Sequence, residues 1–324
     1  MRGAVVTIVV RDVPKEAHRI DGVASALEAL GYSVRQRADH PWEWNSDEIV
    51  WIQDNSSWFP RVTAKLRSTP KDCRPFSLIW FTEPLPQPSA SGLRRPRLSI
   101  RELAKILLRD VRATDIYTNY LRLRSLVGVG VPDLLVVSTP SRRAFLAEHG
   151  IPSHWVPLGF SPTMGRDMNI PRDIDVLFLG APDDARHRRS VNFLKRRGVN
   201  VKSVGSWSDP AYWGDSRTTL INRTKIFLNL QRHPGLLSGQ RLMLGMANRS
   251  LVVSEPIYDS RPFVAGEHFV AATLEDMPRV IDRYLASQSE REKIAGAGFN
   301  FVTQQLKVAS SIARIADLIS AHRR

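Results

Sequence analysis

Cysteine is almost missing from this chain: Cys73 is the only one in 324 residues. That excludes an internal disulfide and any zinc site built on cysteine. Long apolar runs are missing as well. No stretch reaches the roughly 18–20 residues a membrane-spanning helix needs. The opening MRGAVVTIVVRD has too short an apolar core for a signal peptide, so a first buried strand and a cytoplasmic location are expected. No Gly-x-Gly-x-x-Gly follows an early strand, and VGVGV at 127–131 lacks a helix behind it, which argues against a dinucleotide dehydrogenase. Acidic residues are in deficit, 32 against 46 Lys and Arg, leaving a net charge of +14. An excess of this size predicts an acidic partner: nucleic acid, an anionic membrane surface or a phosphorylated substrate. A general solubility feature is the plainer reading.

What is present is an alternation of apolar runs and helical patterns. AVVTIVV (4–10), EIVWIQD (48–54), FSLIWFTE (76–83) and LLVVSTP (134–140) read as strands buried on both faces. HWVPLGFSP (154–162) carries two prolines and a glycine and reads as a connection between domains. The pattern then restarts with IDVLFLG (174–180), VKSVG (201–205), KIFLNLQ (225–231) and SLVVSE (250–255) as strands, separated by helical stretches. Ser289 and Glu292 have the spacing of a helix capping box, and a last helix is expected at about 308–322. Strand–helix–strand order predicts parallel sheets, so the fold class is α/β with two Rossmann-like halves. The divisions fall at 1–155, 156–305 and a terminal 306–324.

In open parallel sheets, ligands bind where strands end and helix N-termini point their amides. The strand ending at Gly180 runs directly into Arg186, His187, Arg188 and Arg189, which suits an anion. Gly180 permits close backbone approach. Arg241 opens the helix after the next central strand, and a bidentate guanidinium matches a phosphate. Arg188 is the second cationic candidate. An arginine at a helix start is also commonly just solvated. Asn229 and His233 follow the strand KIFLNL and are candidates to line the pocket; Glu255 ends SLVVSE and is a candidate acceptor for hydroxyl groups.

The run KIFLNLQRHPGLLSGQRLMLGMANRSLVVSEPIYDSRPFVAGEHFV, with TLEDMPRVIDRYLASQSEREKIAGAGFNFV behind it, resembles the C-terminal domain of GT-B glycosyltransferases, most closely the CgeB-like spore-maturation group. The shared features are a strand ending in Leu-Asn, an Arg-led helix, a strand ending in an acidic residue and a Pro-Phe-x-x-Gly-Glu turn. The resemblance spans roughly 170–305. It implies two domains facing a cleft, a nucleoside-diphosphate sugar as donor held by the C-terminal half, and an acceptor on the N-terminal half. It also implies transfer without a metal or other cofactor, and a last helix returning to the first domain. Glu267 matches the family turn. Retaining members carry a pair of glutamates where this chain has Leu236 and Leu244, so an inverting mechanism is expected. A glycine common after the Arg-led helix is replaced by Arg249.

Inversion needs a general base from the N-terminal half. Asp12, Asp54 and Glu83 lie at strand ends, with Glu83 and Asp12 preferred. On the acceptor side, Trp42, Trp44 and Trp58 sit in loops and could stack on a sugar or a base. Trp51 and Trp80 lie in apolar strands and read as core. Residues 94–124 hold nine Lys or Arg and three acids. Within helix 100–113, Ile100, Leu103, Leu107 and Val111 form an apolar stripe, and Arg101, Lys105, Arg109 and Arg112 a basic one. Such a helix suits anionic lipid or nucleic-acid phosphates, or is a solvated surface helix. A non-catalytic nucleotide- or polyanion-binding module is the competing reading, favoured by the two leucines.

Overall fold

The structure is a computed structural model and describes residues 4–10, 17–40, 42–53, 59–94, 100–108, 116–180, 184–205 and 212–323. Asp12, Asp54 and Trp58 lie outside the described residues, as do positions 109–113 of the basic stretch. The chain divides into two compact units: one of residues 1–157 with 308–324, the other of residues 158–307.

The first unit contains β1 (Val5–Val9), α1 (Ala17–Ala29), β2 (Ser33–Arg37), β3 (Ile49–Gln53), α2 (Pro60–Ser68), β4 (Phe76–Phe81), α3 (Ile100–Leu107), α4 (Ile116–Val127), β5 (Leu134–Val137), α5 (Pro140–Glu148) and β6 (His154–Trp155). Its six strands form a parallel sheet in the order β2-β1-β3-β4-β5-β6. Every residue of β3 is buried, as the apolar run requires when helices cover both faces. Trp51 and Trp80 meet edge-on at 6.1 Å inside this core. The polar strand β2, SVRQR, carries no apolar signal because it is an edge strand: charge there blocks further pairing. Pro60 and Pro140 occupy first turns of α2 and α5, where the missing N–H costs nothing.

The second unit contains β7 (Ile174–Leu179), α6 (Ala185–Arg196), β8 (Val201–Val204), α7 (Gly214–Asn222), β9 (Thr224–Asn229), α8 (Gly239–Ala247), β10 (Leu251–Ser254), β11 (Val270–Ala271), α9 (Met277–Ala286) and α10 (Gln288–Asn300). The order is β11-β10-β9-β7-β8, again parallel. Phe227, Met243, Met246 and Val252 fill one side of it, and Val176, Leu228, Val253 and Ile281 the other. Gly245 lets α8 approach the sheet: a Cβ there would lie 2.5 Å from Val252 and 2.9 Å from Phe227. Arg249 follows α8 with φ 54, the left-handed conformation that glycine adopts freely, and its guanidinium is held by Asp167 at 2.9 Å. The cap of α10 is Ser287, whose hydroxyl accepts from the Glu290 amide, not Ser289: the helix begins two residues earlier than the capping-box spacing suggests. The last helix, α11 (Val308–His322), packs on α1 and β5 of the first unit through Ile312, Ile315 and Ile319. Among the described residues, no helix is long and apolar enough to cross a membrane.

Candidate functional site

The end of β7 shapes the site. Phe178 is buried, and its ring occupies the space beside Gly180: a Cβ at 180 would lie 2.5 Å from the ring edge. Any larger residue at 180 must displace that ring. Gly205, after β8, packs against the same turn: a Cβ there would lie 3.0 Å from the Leu179 side chain and 3.2 Å from the Gly180 amide nitrogen. The ring of Phe178 supports two groups, the Arg241 guanidinium 5.5 Å from its centroid and the His187 imidazole edge-on at 5.1 Å.

Above this turn lies a pocket of about 110 Å³. Gly180 and Gly205 form one wall, and Tyr212, Trp213 and Arg217 another. Ser238, Gln240 and Arg241 supply the start of α8, with Phe227 and Leu244 below. Ser238 makes no side-chain cap on α8; the Arg241 amide donates to the Ser238 carbonyl at 3.1 Å, and the Gly239 and Gln240 amides precede it at the open end of the helix.

Two guanidiniums give the pocket its charge. Arg241 is half-buried, and one of its N–H groups donates to the Leu230 carbonyl at 2.7 Å. Burial lowers its pKa to about 10, against the pull of Asp184, and leaves it cationic at neutral pH. Arg217 is 8% exposed, donates to the Thr163 carbonyl at 2.8 Å, and has no partner for Nε. It lies 5.6 Å from the Trp213 ring, and burial lowers its pKa too. Among the described residues, no carboxylate lies within ion-pair distance of either. Among the described residues, each has one hydrogen-bond acceptor for five donors. Arg172 and Arg291, by contrast, are satisfied internally. Arg172 donates to two backbone carbonyls and a serine hydroxyl, and Arg291 to two carbonyls. Arg217 and Arg241 are the pair whose spare donors meet the pocket, an arrangement suited to an anion with several oxygens.

His187 stands in the first turn of α6, whose N-cap Asp184 accepts from the Arg186 and His187 amides at 3.0 Å each. The imidazole is buried, and among the described residues neither ring nitrogen has a hydrogen-bond partner. Burial and then the Arg241 charge push its pKa from 6.5 to about 4; Asp184 opposes this, while Arg186 and Arg232 add to it. The folded chain therefore keeps His187 neutral where the unfolded chain protonates it. Stability is complete above pH 6.5 and falls as pH drops toward 4. The loss is on the order of 2 kcal/mol. His187→Gln is expected to flatten this part of the pH profile, measured as urea midpoints at pH 7 and 4.5. An unchanged acid slope would contradict a buried neutral imidazole.

Of the residues singled out in the sequence, Gly180 and Arg241 line the pocket together. Arg188 is exposed on α6 and lies outside the lining. Its neighbour Arg186 turns inward instead and grips Glu255 with two nitrogens at 2.8 and 2.5 Å, and also donates to the Gln231 carbonyl. Glu255 is thus consumed: the same carboxylate accepts from the Gln231 amide at 2.7 Å, and the Gln231 side chain then fixes Gly235. This cluster holds the loop between β9 and α8, and does not present a free acceptor. Asn229 is fully buried and donates to Ser254 Oγ at 2.9 Å, while His233 is half-buried and caps Leu236 through its carbonyl. Neither lines the pocket. Glu267 is exposed, with its carboxylate 3.5 Å from His268 in the turn. In the first unit, the Glu83 carbonyl accepts from Arg142 at 2.7 Å. Trp42 and Trp44 meet edge-on at 5.8 Å, pack on the core, and carry Arg37 and Lys65 over their rings. Their exposed faces are accordingly small.

Arg217 and Trp213 do not directly follow a strand, so the rule that ligands gather at strand ends does not point to them. Arg217 is in the first turn of α7, and the LINRT stretch that signals this helix lies after it. The usable signal was WGDSR, a helix start with an arginine on the sheet side.

Residues 186–317, which include Arg217 and Arg241, match the family model described as glycosyl transferase-like. No curated protein sequence matches the chain significantly. Solved structures share its architecture at low identity. A Rickettsia africae glycosyltransferase aligns with a TM-score of 0.64 at 11% identity, covering 100% of both chains. Anabaena Alr3699/HepE in complex with UDP-glucose aligns at 0.63 and 10%, covering 98% of this chain and 99% of that one. A UDP-forming α,α-trehalose-phosphate synthase from Burkholderia xenovorans aligns at 0.60 and 9%, covering 97% and 98%. The chain therefore has the GT-B glycosyltransferase fold, and its residues 186–317 match the glycosyl transferase-like family model.

Proposed function

We propose that this chain transfers a sugar from a uridine-diphosphate donor to an acceptor hydroxyl, without a metal and with inversion at the anomeric carbon. One observation carries the reading: a buried and a half-buried guanidinium, with no carboxylate in ion-pair range among the described residues, open onto one pocket at a helix N-terminus, within the glycosyl transferase-like segment. As the glycosidic bond breaks, its electrons stay on the β-phosphate oxygen. Arg241, Arg217 and the first amides of α8 would stabilise that charge. Two cations match the two negative charges of a bound diphosphate, which is why the reading needs no metal. Uridine is chosen because proteins of the same fold hold UDP or UDP-glucose.

Leu244 lines the pocket where retaining relatives would offer a carboxylate, which supports inversion. In this reading Glu83 or Asp12 takes the proton from the acceptor hydroxyl. A closer kinship with the CgeB-like group belongs to the same proposal. It rests on the Arg241-led helix and the turn from Pro262 to Glu267.

A thermal-shift panel of UDP, GDP, dTDP and ADP tests the donor. UDP is expected to stabilise the chain by about 2.7 kcal/mol at a hundredfold excess over Kd, and the others less. No rise with any of the four contradicts the reading. A rise with UDP but no hydrolysis or transfer of any UDP-sugar points to the non-catalytic module instead.

A further inference from the structure

The first unit carries an apolar surface that its own core does not use. In α3, Ile100 is 89% exposed and Leu107 76%, and Leu108 just beyond it is 79% exposed. Leu103, one turn after Ile100, is 48% exposed. These positions recur at helical spacing on one face, while positions 101, 102 and 105 fall on the other. Large aliphatic side chains gathered on one exposed helix face are unusual and call for a partner.

The charge around the helix selects that partner. Residues 94–112 hold seven Lys or Arg and two acids, within a chain of net charge +14. A second copy of the chain is disfavoured, because it would bring together two chains of net charge +14. A nucleic acid would use the basic positions and leave Ile100, Leu103, Leu107 and Leu108 in water. An anionic bilayer uses both sets: acyl chains receive the aliphatic face while headgroup phosphates meet the cations.

We propose that α3 is an interfacial helix that docks the protein on an anionic lipid surface, by inserting Ile100, Leu103 and Leu107 between headgroups that its basic surroundings attract. The proposal is independent of the donor reading, since the helix belongs to the first unit and the donor pocket to the second.

Co-sedimentation of the full chain with vesicles tests it, in the absence of nucleotide. One vesicle is phosphatidylcholine alone, the other phosphatidylcholine mixed with phosphatidylglycerol. Binding is expected on the anionic vesicle only, weakening as salt is raised. Ile100→Glu/Leu107→Glu is expected to reduce partitioning at least about tenfold. Its melting temperature should not change, because the replaced residues are exposed. Absence of binding to the anionic vesicle overturns the proposal, and so does equal binding by the double variant. A fall in melting temperature also overturns it, since the face would then be covered within the fold. Tighter binding to duplex DNA than to the anionic vesicle, insensitive to the double substitution, assigns the basic surface to nucleic acid and overturns the lipid assignment.

Discussion

Replacing Arg241 with alanine is expected to lower the transfer rate by about two to three orders of magnitude, the usual effect of deleting one group that stabilises a developing oxyanion. The loss should follow phosphate rather than base. Titration calorimetry should show UDP binding weakened at least about tenfold, because a charge-assisted, multidentate contact is removed. Uridine, which has no phosphate, should bind the variant as it binds the wild type. Arg241→Lys keeps the charge but loses the fork and the stacking on Phe178, so it should recover only part of the rate. A folding defect is separable. The substitution leaves the Leu230 carbonyl without its donor, which costs about 1–3 kcal/mol and is visible in the urea midpoint. An Arg241→Ala variant that turns over donor at the wild-type rate would remove the guanidinium from the chemistry.

The second large effect concerns stability. Glu255→Ala should destabilise the fold by about 3–5 kcal/mol, because it leaves the half-buried Arg186 charge without its carboxylate. Arg186→Met combined with Glu255→Leu should be milder than Glu255→Ala alone, since no buried charge is stranded. A double-mutant cycle between the two positions then yields a coupling well above that of an exposed ion pair. The opposite outcome is informative. A Glu255→Ala variant of native stability that loses sugar binding would return this carboxylate to the ligand, the role its position at a strand end suggests.

These two residues illustrate how far a sequence carries. The parallel sheets were legible because strands buried on both faces appear as unbroken apolar runs, as in IVWI of β3 and LIWF of β4. The edge strand β2 was not, because its polar composition is the condition for staying at an edge. Gly180 and Arg241 were found through a rule about topology: ligands collect where parallel strands end. Glu255 satisfies the same rule, yet its carboxylate belongs to Arg186, 69 positions earlier, and no local pattern announces that partner. Arg217 is the converse case. It is a helix residue marked only by the WGDSR helix start, and the folded neighbourhood shows that its spare donors open onto the same pocket as Arg241. Trp42 and Trp44 fit either ligand stacking or loop packing by sequence, and in the fold they pack on each other, Arg37 and Lys65. What escapes the sequence is pairing between distant side chains, since burial and partner choice are decided by the tertiary fold.

A crystal structure of the chain with UDP tests the central claim most directly. The account predicts the diphosphate above the Gly180 turn, with phosphate oxygens about 2.7–2.9 Å from the guanidinium nitrogens of Arg241 and at least one oxygen shared with Arg217 or the first amides of α8. UDP bound elsewhere, or in this pocket with Arg241 making no phosphate contact, would contradict it.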